Sequence, residues 1–271
     1  MKRKLTDTER IDKVLVADVI DNYTISGRHS LIWRKKISPY RILVSEIMLQ
    51  QTQVSRVLPK FSQWMILYPT LTSLSSASFQ DVLILWQGLG YQRRAKALLS
   101  IAKKVESIPK NFEDLLKLPG VGTYTASAIS AFAYNSFSHP VLETNIRTVL
   151  IEYLYKENSL VTDKQLYEDL RRLESYDGVI SLGARHWYYA IMDFGAYLKQ
   201  ENISHNKKST HNKQQNTYKG SSRELRAKVL FAITHKEGLP QDRRLEGVLD
   251  ELLKEGFIVA SKKGFALAHI T

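Results

Sequence analysis

Residues 118–129 read LPGVGTYTASAI, and this short segment is the strongest local signal of fold in the chain. The amphipathic segment NFEDLLK precedes it and small apolar residues follow it, which predicts two helices joined by a tight turn. Pro119 ends the first helix, while Gly120 and Gly122 allow backbone N–H groups to point outward beside the N-terminus of the next helix. Such a turn can hold a phosphate group without reading bases. The same pattern also fits an ordinary turn in a helical bundle.

Composition narrows the classes of partner and cofactor. The chain has 271 residues, a net charge of +12 and no cysteine. The positive charge predicts an anionic partner, and nucleic acid is the commonest large polyanion in a cell. Without cysteine there is no disulfide, thiolate nucleophile or Cys-ligated metal site. No uninterrupted apolar stretch has the length of a signal peptide or membrane helix, so we expect a soluble cytoplasmic protein.

Periodicity divides the chain into three parts. Up to residue 198, apolar residues recur at helical spacing, which predicts an all-α region. Residues 199–220 are polar and basic, so we interpret them as a linker. Residues 221–271 predict two helices, the second capped by Asp242, followed by a β-hairpin, which together suggest a small winged-helix-like module.

A second motif, SEIMLQQTQV at residues 45–54, combines acid and amide side chains. Glu46, Gln50 and Gln53 are spaced to share one stripe of a helix. A carboxyl group among apolar neighbours can act as a general acid, and glutamine amides suit the edges of bases. For a lone glutamate, a solvated polar face of the helix would be the better interpretation.

Five segments in order carry a resemblance to a known family. They are WRKKISPYRILVSEIMLQQTQVSRVLPKF, LWQGLGYQRRAKAL, LPGVGTYTASAI, VLETNIRTVL and MDFGAYL. Together they resemble the helix–hairpin–helix (HhH-GPD) base-excision glycosylases, and within these the adenine DNA glycosylases of the MutY type. The resemblance covers roughly residues 25–198. It implies a two-lobed helical fold that binds DNA in a cleft with the target nucleotide flipped out of the stack.

The resemblance also implies lobe boundaries. Residues 30–145 would form a six-helix barrel lobe with the helix–hairpin–helix at 111–130, and residues 1–29 with 146–198 a second helical lobe. The basic linker 199–220 would replace the loop that holds an iron–sulfur cluster in most of the family.

Catalytic roles follow from the resemblance residue by residue. Glu46 would protonate the adenine ring at N7, and Glu143 would stabilise the oxocarbenium-like sugar, with Asn145 beside it. The family carries Asp-Gly-Asn where this chain has Glu143-Thr144-Asn145, so reduced activity or an altered substrate stays open. Tyr124 lies where bifunctional members carry a Schiff-base lysine, which implies a monofunctional glycosylase.

The resemblance assigns two further groups of residues. Trp33 and Arg34 would lie at the mouth of the base pocket. Gln51 and Tyr91 would fill the gap and form a wedge beside the estranged base. The other DNA contacts would come from the glutamine segment, the hairpin and two arginines: Gln50, Thr52, Arg93, Leu118, Gly120, Val121, Gly122 and Arg147. Each of these residues also has a plainer interpretation. Trp33 and Tyr91 would then be core residues, and Arg34 and Arg93 solvated phosphate contacts.

No cofactor is expected. The positions of the four cluster cysteines fall on Lys199, near Asn206, on Ser209 and on Gln215, none of which is a thiolate. His205 and His211 have no acidic or thiol partner in sequence, so we expect them to be solvated and predict no metal site.

The resemblance therefore implies a monomeric bacterial DNA glycosylase that hydrolyses the N-glycosidic bond of adenine opposite 8-oxoguanine or guanine. Its partner would be double-stranded DNA with a mismatch or lesion. Two alternatives remain: a glycosylase for mismatched thymine or another base, and a DNA protein that binds lesions with impaired catalysis.

Overall fold

The computed structural model describes residues 5–157, 160–204, 206–210, 217–261 and 264–270. The helices are α1 (Asp7–Ser26), α2 (Ile32–Lys35), α3 (Pro39–Leu49), α4 (Val54–Leu67), α5 (Leu71–Ser75), α6 (Phe79–Trp86), α7 (Arg93–Lys104), α8 (Phe112–Leu116), α9 (Thr123–Tyr134), α10 (Thr144–Leu154), α11 (Asp163–Leu173), α12 (Asp177–Gln200), α13 (Ser222–His235) and α14 (Leu245–Lys254). A 3-10 helix covers Asn206–Lys208, and the strands are β1 (Ile258–Ser261) and β2 (Gly264–Leu267). The predicted fold class, all-α with a small C-terminal α+β module, is confirmed.

Local capping explains where several helices begin. The Thr6 side chain accepts a hydrogen bond from the Glu9 amide, and the Glu9 carboxylate accepts one from the Thr6 amide, which forms a capping box at α1. Thr162 and Gln165 form the same device at α11. These side chains satisfy amides that the first turn of a helix leaves without a partner.

The first compact unit comprises Met1–Ile42, Pro109–Leu116 and Val121–Gln214. The long helix α12 lies at its centre and packs against α1, α9 and α10. Gly183, with a φ of +78°, interrupts α12, and a side chain there would meet that of Asn135. Gly195 lies against the Asn145 backbone so closely that a Cβ atom would overlap it. Glycine is therefore required for the contact between α12 and α10.

The second compact unit comprises Leu43–Ile108, Lys117–Gly120 and Gln215–Thr271. Trp64 and Trp86 pack edge to face in its core, with ring centroids 5.7 Å apart. The C-terminal module docks on α6 and α7: Phe257 contacts Phe79 at 5.7 Å, and the Lys96 ammonium lies 5.2 Å from the Phe257 ring. Strands β1 and β2 pair antiparallel in this module.

The sequence predicted a helix cap at Asp242 and a linker at residues 199–220. The capping role of Asp242 is wrong, because α14 begins at Leu245 after a turn in which Asp242 accepts the Arg244 amide at 2.9 Å. The predicted linker contains the end of α12, the 3-10 helix and a parallel bridge between Val161 and Ser209. The lobe boundaries and the winged-helix assignment stay predictions. In the described ranges, no helix combines the length and apolar character needed to cross a membrane.

Candidate functional site

The hairpin has the backbone that its sequence predicts. Helix α8 ends at Leu116 and α9 begins at Thr123, and Leu118 and Val121 in the connecting segment are buried. Gly120 has a φ of +73°, and a Cβ atom there would lie 2.8 Å from that of Ala97. Gly122 is the N-cap of α9 and provides no capping side chain. The local structure is confirmed, and its binding of phosphate stays a prediction.

Glu46 is buried in α3, with 5% of its surface exposed. The predicted stripe that it shares with Gln50 and Gln53 is wrong. Helix α3 ends at Leu49, and Gln51 has a φ of +54°, so the chain turns before α4 begins. Gln50 is half-buried in this turn, whereas Gln53 is exposed as the N-cap of α4.

Arg94 organises this turn, although sequence reasoning had assigned it no role. Its guanidinium donates to the carbonyls of Ile47 and Met48 at 3.0 Å and of Gln50 at 2.5 Å. It also donates to the Thr52 hydroxyl at 3.1 Å and to the Leu89 and Gly90 carbonyls. Burial lowers the Arg94 pKa to about 10, which still leaves the side chain protonated near neutral pH. Thr52, a predicted DNA contact, is thus held inside this network.

The two predicted wedge residues share an unusual backbone conformation. Tyr91 has a φ of +46° and Gln51 a φ of +54°, which non-glycine residues rarely adopt. In the C-terminal module, Arg223 donates a 2.7 Å hydrogen bond to the Tyr91 hydroxyl. Both wedge residues line a pocket of about 700 Å³ whose other wall includes Tyr218, Arg223 and Arg226.

Arg93, another predicted DNA contact, is engaged by the C-terminal module. Its guanidinium pairs with both carboxylate oxygens of Glu255, and Arg226 binds the same carboxylate. The hydrogen bond from Arg93 is the main influence lowering the pKa of Glu255, which keeps it ionised. With 70% of its side chain exposed, Arg93 also remains open to solvent.

Glu143 is the N-cap of α10, which agrees with the helix start expected after this residue. One carboxylate oxygen accepts the amides of Asn145 at 2.7 Å and Ile146 at 3.0 Å. Burial raises the pKa of the Glu143 carboxyl, and outweighs the amide bonds and the charge of Lys199 that act to lower it. Asn145 lies in the first turn of α10, and Tyr124 is half-buried in the first turn of α9.

The residues predicted for the base pocket lie in the interior. Trp33 is 3% exposed, and the Arg34 side chain, which is 5% exposed, lies 4.1 Å from the centroid of the Tyr189 ring. Arg34 binds both oxygens of Asp193, at 2.7 and 2.9 Å, and Arg28 binds the same carboxylate. Burial acts to raise the pKa of Asp193, but the two arginines outweigh it and hold the pKa below its ordinary value. The base-pocket role of these residues stays a prediction.

The family assignment rests on comparison with known proteins. The family model for the HhH-GPD superfamily base excision DNA repair protein matches residues 44–179. The chain belongs to this superfamily. It is 36% identical over 186 residues to an adenine DNA glycosylase of Buchnera aphidicola, a match that covers 66% of this chain and 52% of the relative. It is 45% identical over 130 residues to an adenine DNA glycosylase of Mycolicibacterium smegmatis, a match that covers 46% of this chain and 44% of the relative.

A solved structure supports the superfamily fold. A thermostable thymine-DNA glycosylase has a TM-score of 0.59 and 24% identity, and the match covers 70% of this chain and 88% of that one. This likeness concerns the fold alone. The chain spans about half the length of the curated relatives it matches.

Within this superfamily member, the positions of the cluster cysteines do not fit an iron–sulfur cluster. Lys199, Asn206 and Ser209 carry an amine, an amide and a hydroxyl, and all three contact other side chains instead. Gln215, His205 and His211 lie outside the described residues. In the part of the chain that the structure covers, no three His, Asp or Glu side chains group to hold a metal. The expectation of no cofactor stays a prediction.

Arg147, the last predicted DNA contact, is paired within the protein. Its guanidinium binds both carboxylate oxygens of Asp163 and lies 3.4 Å from the Ser209 hydroxyl. It is only partly exposed. Sequence reasoning missed Asp163 and Asp193 as arginine partners because each is far along the chain from the arginine it binds.

Proposed function

We propose that this HhH-GPD superfamily member is a monofunctional DNA N-glycosylase that removes adenine mispaired with 8-oxoguanine or guanine. The observation that carries the proposal is the burial of Glu46 in α3. Burial disfavours the ionised form of a carboxyl group, and a general acid must carry its proton into the reaction. The similarity to adenine DNA glycosylases over about two thirds of the chain supports adenine as the base.

The proposed reaction breaks the bond between the base and C1′ of the sugar. Glu46 donates its proton to N7 of adenine, so that the base leaves with the bonding electron pair and without a full negative charge. The sugar becomes oxocarbenium-like, and the Glu143 carboxylate stabilises its positive charge. Water then adds its oxygen to C1′ and gives up a proton to a carboxylate, as in glycoside hydrolysis.

Tyr124 supports a monofunctional reaction. A phenol has no amine with which to form an imine with the sugar, so β-elimination through a Schiff base at this position is excluded. Asn145, beside Glu143 at the start of α10, would help to position the deoxyribose. The proposed partner is double-stranded DNA, in keeping with the net charge of +12.

The pocket beside Tyr91 supports recognition of the opposite base. Gln51 offers an amide, Tyr91 and Tyr218 offer aromatic surface, and Arg223 supplies a guanidinium. A base that loses its partner can stack on aromatic rings, which contributes about 1–3 kcal/mol per base. The C-terminal module would thereby take part in choosing the mismatch.

One observation favours a catalytically impaired lesion-binding protein as a second candidate. The Glu143 carboxylate caps α10 through two amide bonds, and its chain is one methylene longer than the family's aspartate. A misplacement of about 1 Å at a reacting centre can lower a rate by about 10²-fold. Such a protein would bind mismatched duplexes without releasing a base.

Single-turnover assays on duplexes with A opposite 8-oxoguanine, A opposite G, and T opposite G test the proposal. Wild type should release adenine from the first two, and Glu46→Gln, which keeps the size of the side chain but removes its acid, should release none. Glu237→Gln, at an exposed position, is the matched control and should retain wild-type rates. Release of thymine alone would establish the mismatch thymine glycosylase. Tight binding with no release would establish the lesion-binding protein.

A further inference from the structure

Three positions where the family has cluster cysteines make contacts around α10 instead. The Lys199 ammonium, in the last turn of α12, donates to Asn145 Oδ1 at 2.7 Å and to Thr144 Oγ1 at 3.1 Å. The Asn206 amide donates to the Thr144 carbonyl at 3.1 Å and to Thr148 Oγ1 at 3.0 Å. Both therefore bind the first turn and a half of α10, next to its cap Glu143.

Ser209 connects the segment after α12 to α10 and to the connection that precedes α11. It is buried, pairs with Val161 in a parallel bridge, and lies within hydrogen-bond distance of Arg147. Arg147 projects from α10 and binds Asp163 at the start of α11. The segment after α12 is thus joined to α10 by side chains and to the α10–α11 connection by backbone hydrogen bonds.

Gly195 adds a contact that has no polar component. Its backbone lies so close to Asn145 that no side chain fits between α12 and the first turn of α10. One turn later, Lys199 reaches the same asparagine. The close backbone contact of Gly195 therefore acts on Asn145, and the hydrogen bonds of Lys199 act on Thr144 and Asn145, the two residues that follow Glu143.

We infer that Gly195, Lys199, Asn206 and Ser209 form a metal-free brace that holds the start of α10, and that Lys199 is a positioning residue for the Glu143 carboxylate. The brace holds this segment against α10 through side chains and backbone, whereas a cluster would hold it through four thiolates. The catalytic part of this inference rests on the proposed function, and the structural part does not.

The charge of Lys199 makes the positioning role testable through the pH dependence of excision. The charged groups that face Glu143 are Lys199 from α12 and Arg28 from the connection between α1 and α2, and both lower the pKa of its carboxyl. The first turn of α10 contributes the backbone amides of Asn145 and Ile146. Removal of Lys199 should therefore raise the pKa of Glu143. If catalysis needs the ionised carboxylate, the acid limb of the excision rate should move to higher pH.

The experiment compares hydrogen exchange and pH profiles of variants of the 271-residue chain. Lys199→Met and Asn206→Ala should speed exchange of the amides at residues 144–148 by about tenfold, because each removes hydrogen bonds that hold this turn. Amides of α13 should exchange at wild-type rates. Lys199→Arg, which keeps the charge, should restore the wild-type pH profile, and Lys164→Met, at an exposed site on α11, is the charge-matched control.

The outcomes separate the two claims. Unchanged exchange at residues 144–148 in both Lys199→Met and Asn206→Ala would overturn the brace. Faster exchange with an unshifted acid limb in Lys199→Met would overturn the positioning role. If wild type releases no base, the proposed function fails, and the exchange experiment still decides the brace. Should Lys199→Met not fold, Asn206→Ala keeps the exchange test available.

Discussion

The pair formed by Arg34 and Asp193 should be essential for stability, and Asp193→Asn tests this directly. The Asp193 carboxylate accepts four hydrogen bonds of 2.6–2.9 Å, two from Arg34 and two from Arg28. The Asp193 side chain is 2% exposed and that of Arg34 5%, whereas that of Arg28 is 35% exposed and can turn to water. The variant thus leaves one buried arginine without a countercharge.

Loss of one partner from a buried ion pair destabilises a protein by about 3–5 kcal/mol. Chemical denaturation should therefore show a fall of that size in the free energy of unfolding of Asp193→Asn. Asp177→Asn makes the same substitution at an exposed site in the first turn of α12 and should cost less than about 0.5 kcal/mol. A loss of less than about 1 kcal/mol in Asp193→Asn would refute the reasoning.

The same pair predicts a pH dependence. Because the folded pKa of Asp193 lies below its ordinary value, the pair contributes stability at neutral pH and loses it as pH falls through the folded pKa. The difference in the free energy of unfolding between wild type and Asp193→Asn should therefore shrink below about pH 4. Denaturation curves at several acidic pH values measure this, and a constant difference between the two proteins would contradict it.

Three further substitutions test other contacts. Gly195→Ala should destabilise the protein by about 1–3 kcal/mol through overlap with the Asn145 backbone, and a melting temperature equal to that of wild type would contradict this close contact. Arg94→Lys should lose most of the hydrogen bonds that hold the turn after α3 and lower stability by about 2 kcal/mol in denaturant titration; an unchanged midpoint would show that one ammonium suffices. Arg223→Ala should weaken binding to a mismatched duplex by about tenfold more than to a matched one, since it frees the Tyr91 ring, and equal losses on both duplexes would mean that it contacts only the backbone.

Local chemistry in the sequence encodes some features of this fold and not others. The hairpin around Gly120 and the helix start after Glu143 were predictable, because turns and caps depend on residues within a few positions of one another. The stripe from Glu46 to Gln53 was not, because α3 ends at Leu49 and Gln51, in the turn that follows, lies in the left-handed region.

The sequence by itself determined the helical fold class, the superfamily and the absence of any thiolate that could ligate a cluster. Only the tertiary structure decided which contacts the residues at the cluster positions make. Lys199 and Asn206 bind α10 residues that lie more than 50 positions away in the chain. The tertiary structure also turned Arg34 and Arg147 inward to aspartates. Hydrogen bonds and ion pairs of this kind depend on distances between side chains, and folding alone sets those distances for residues that are far apart in the chain.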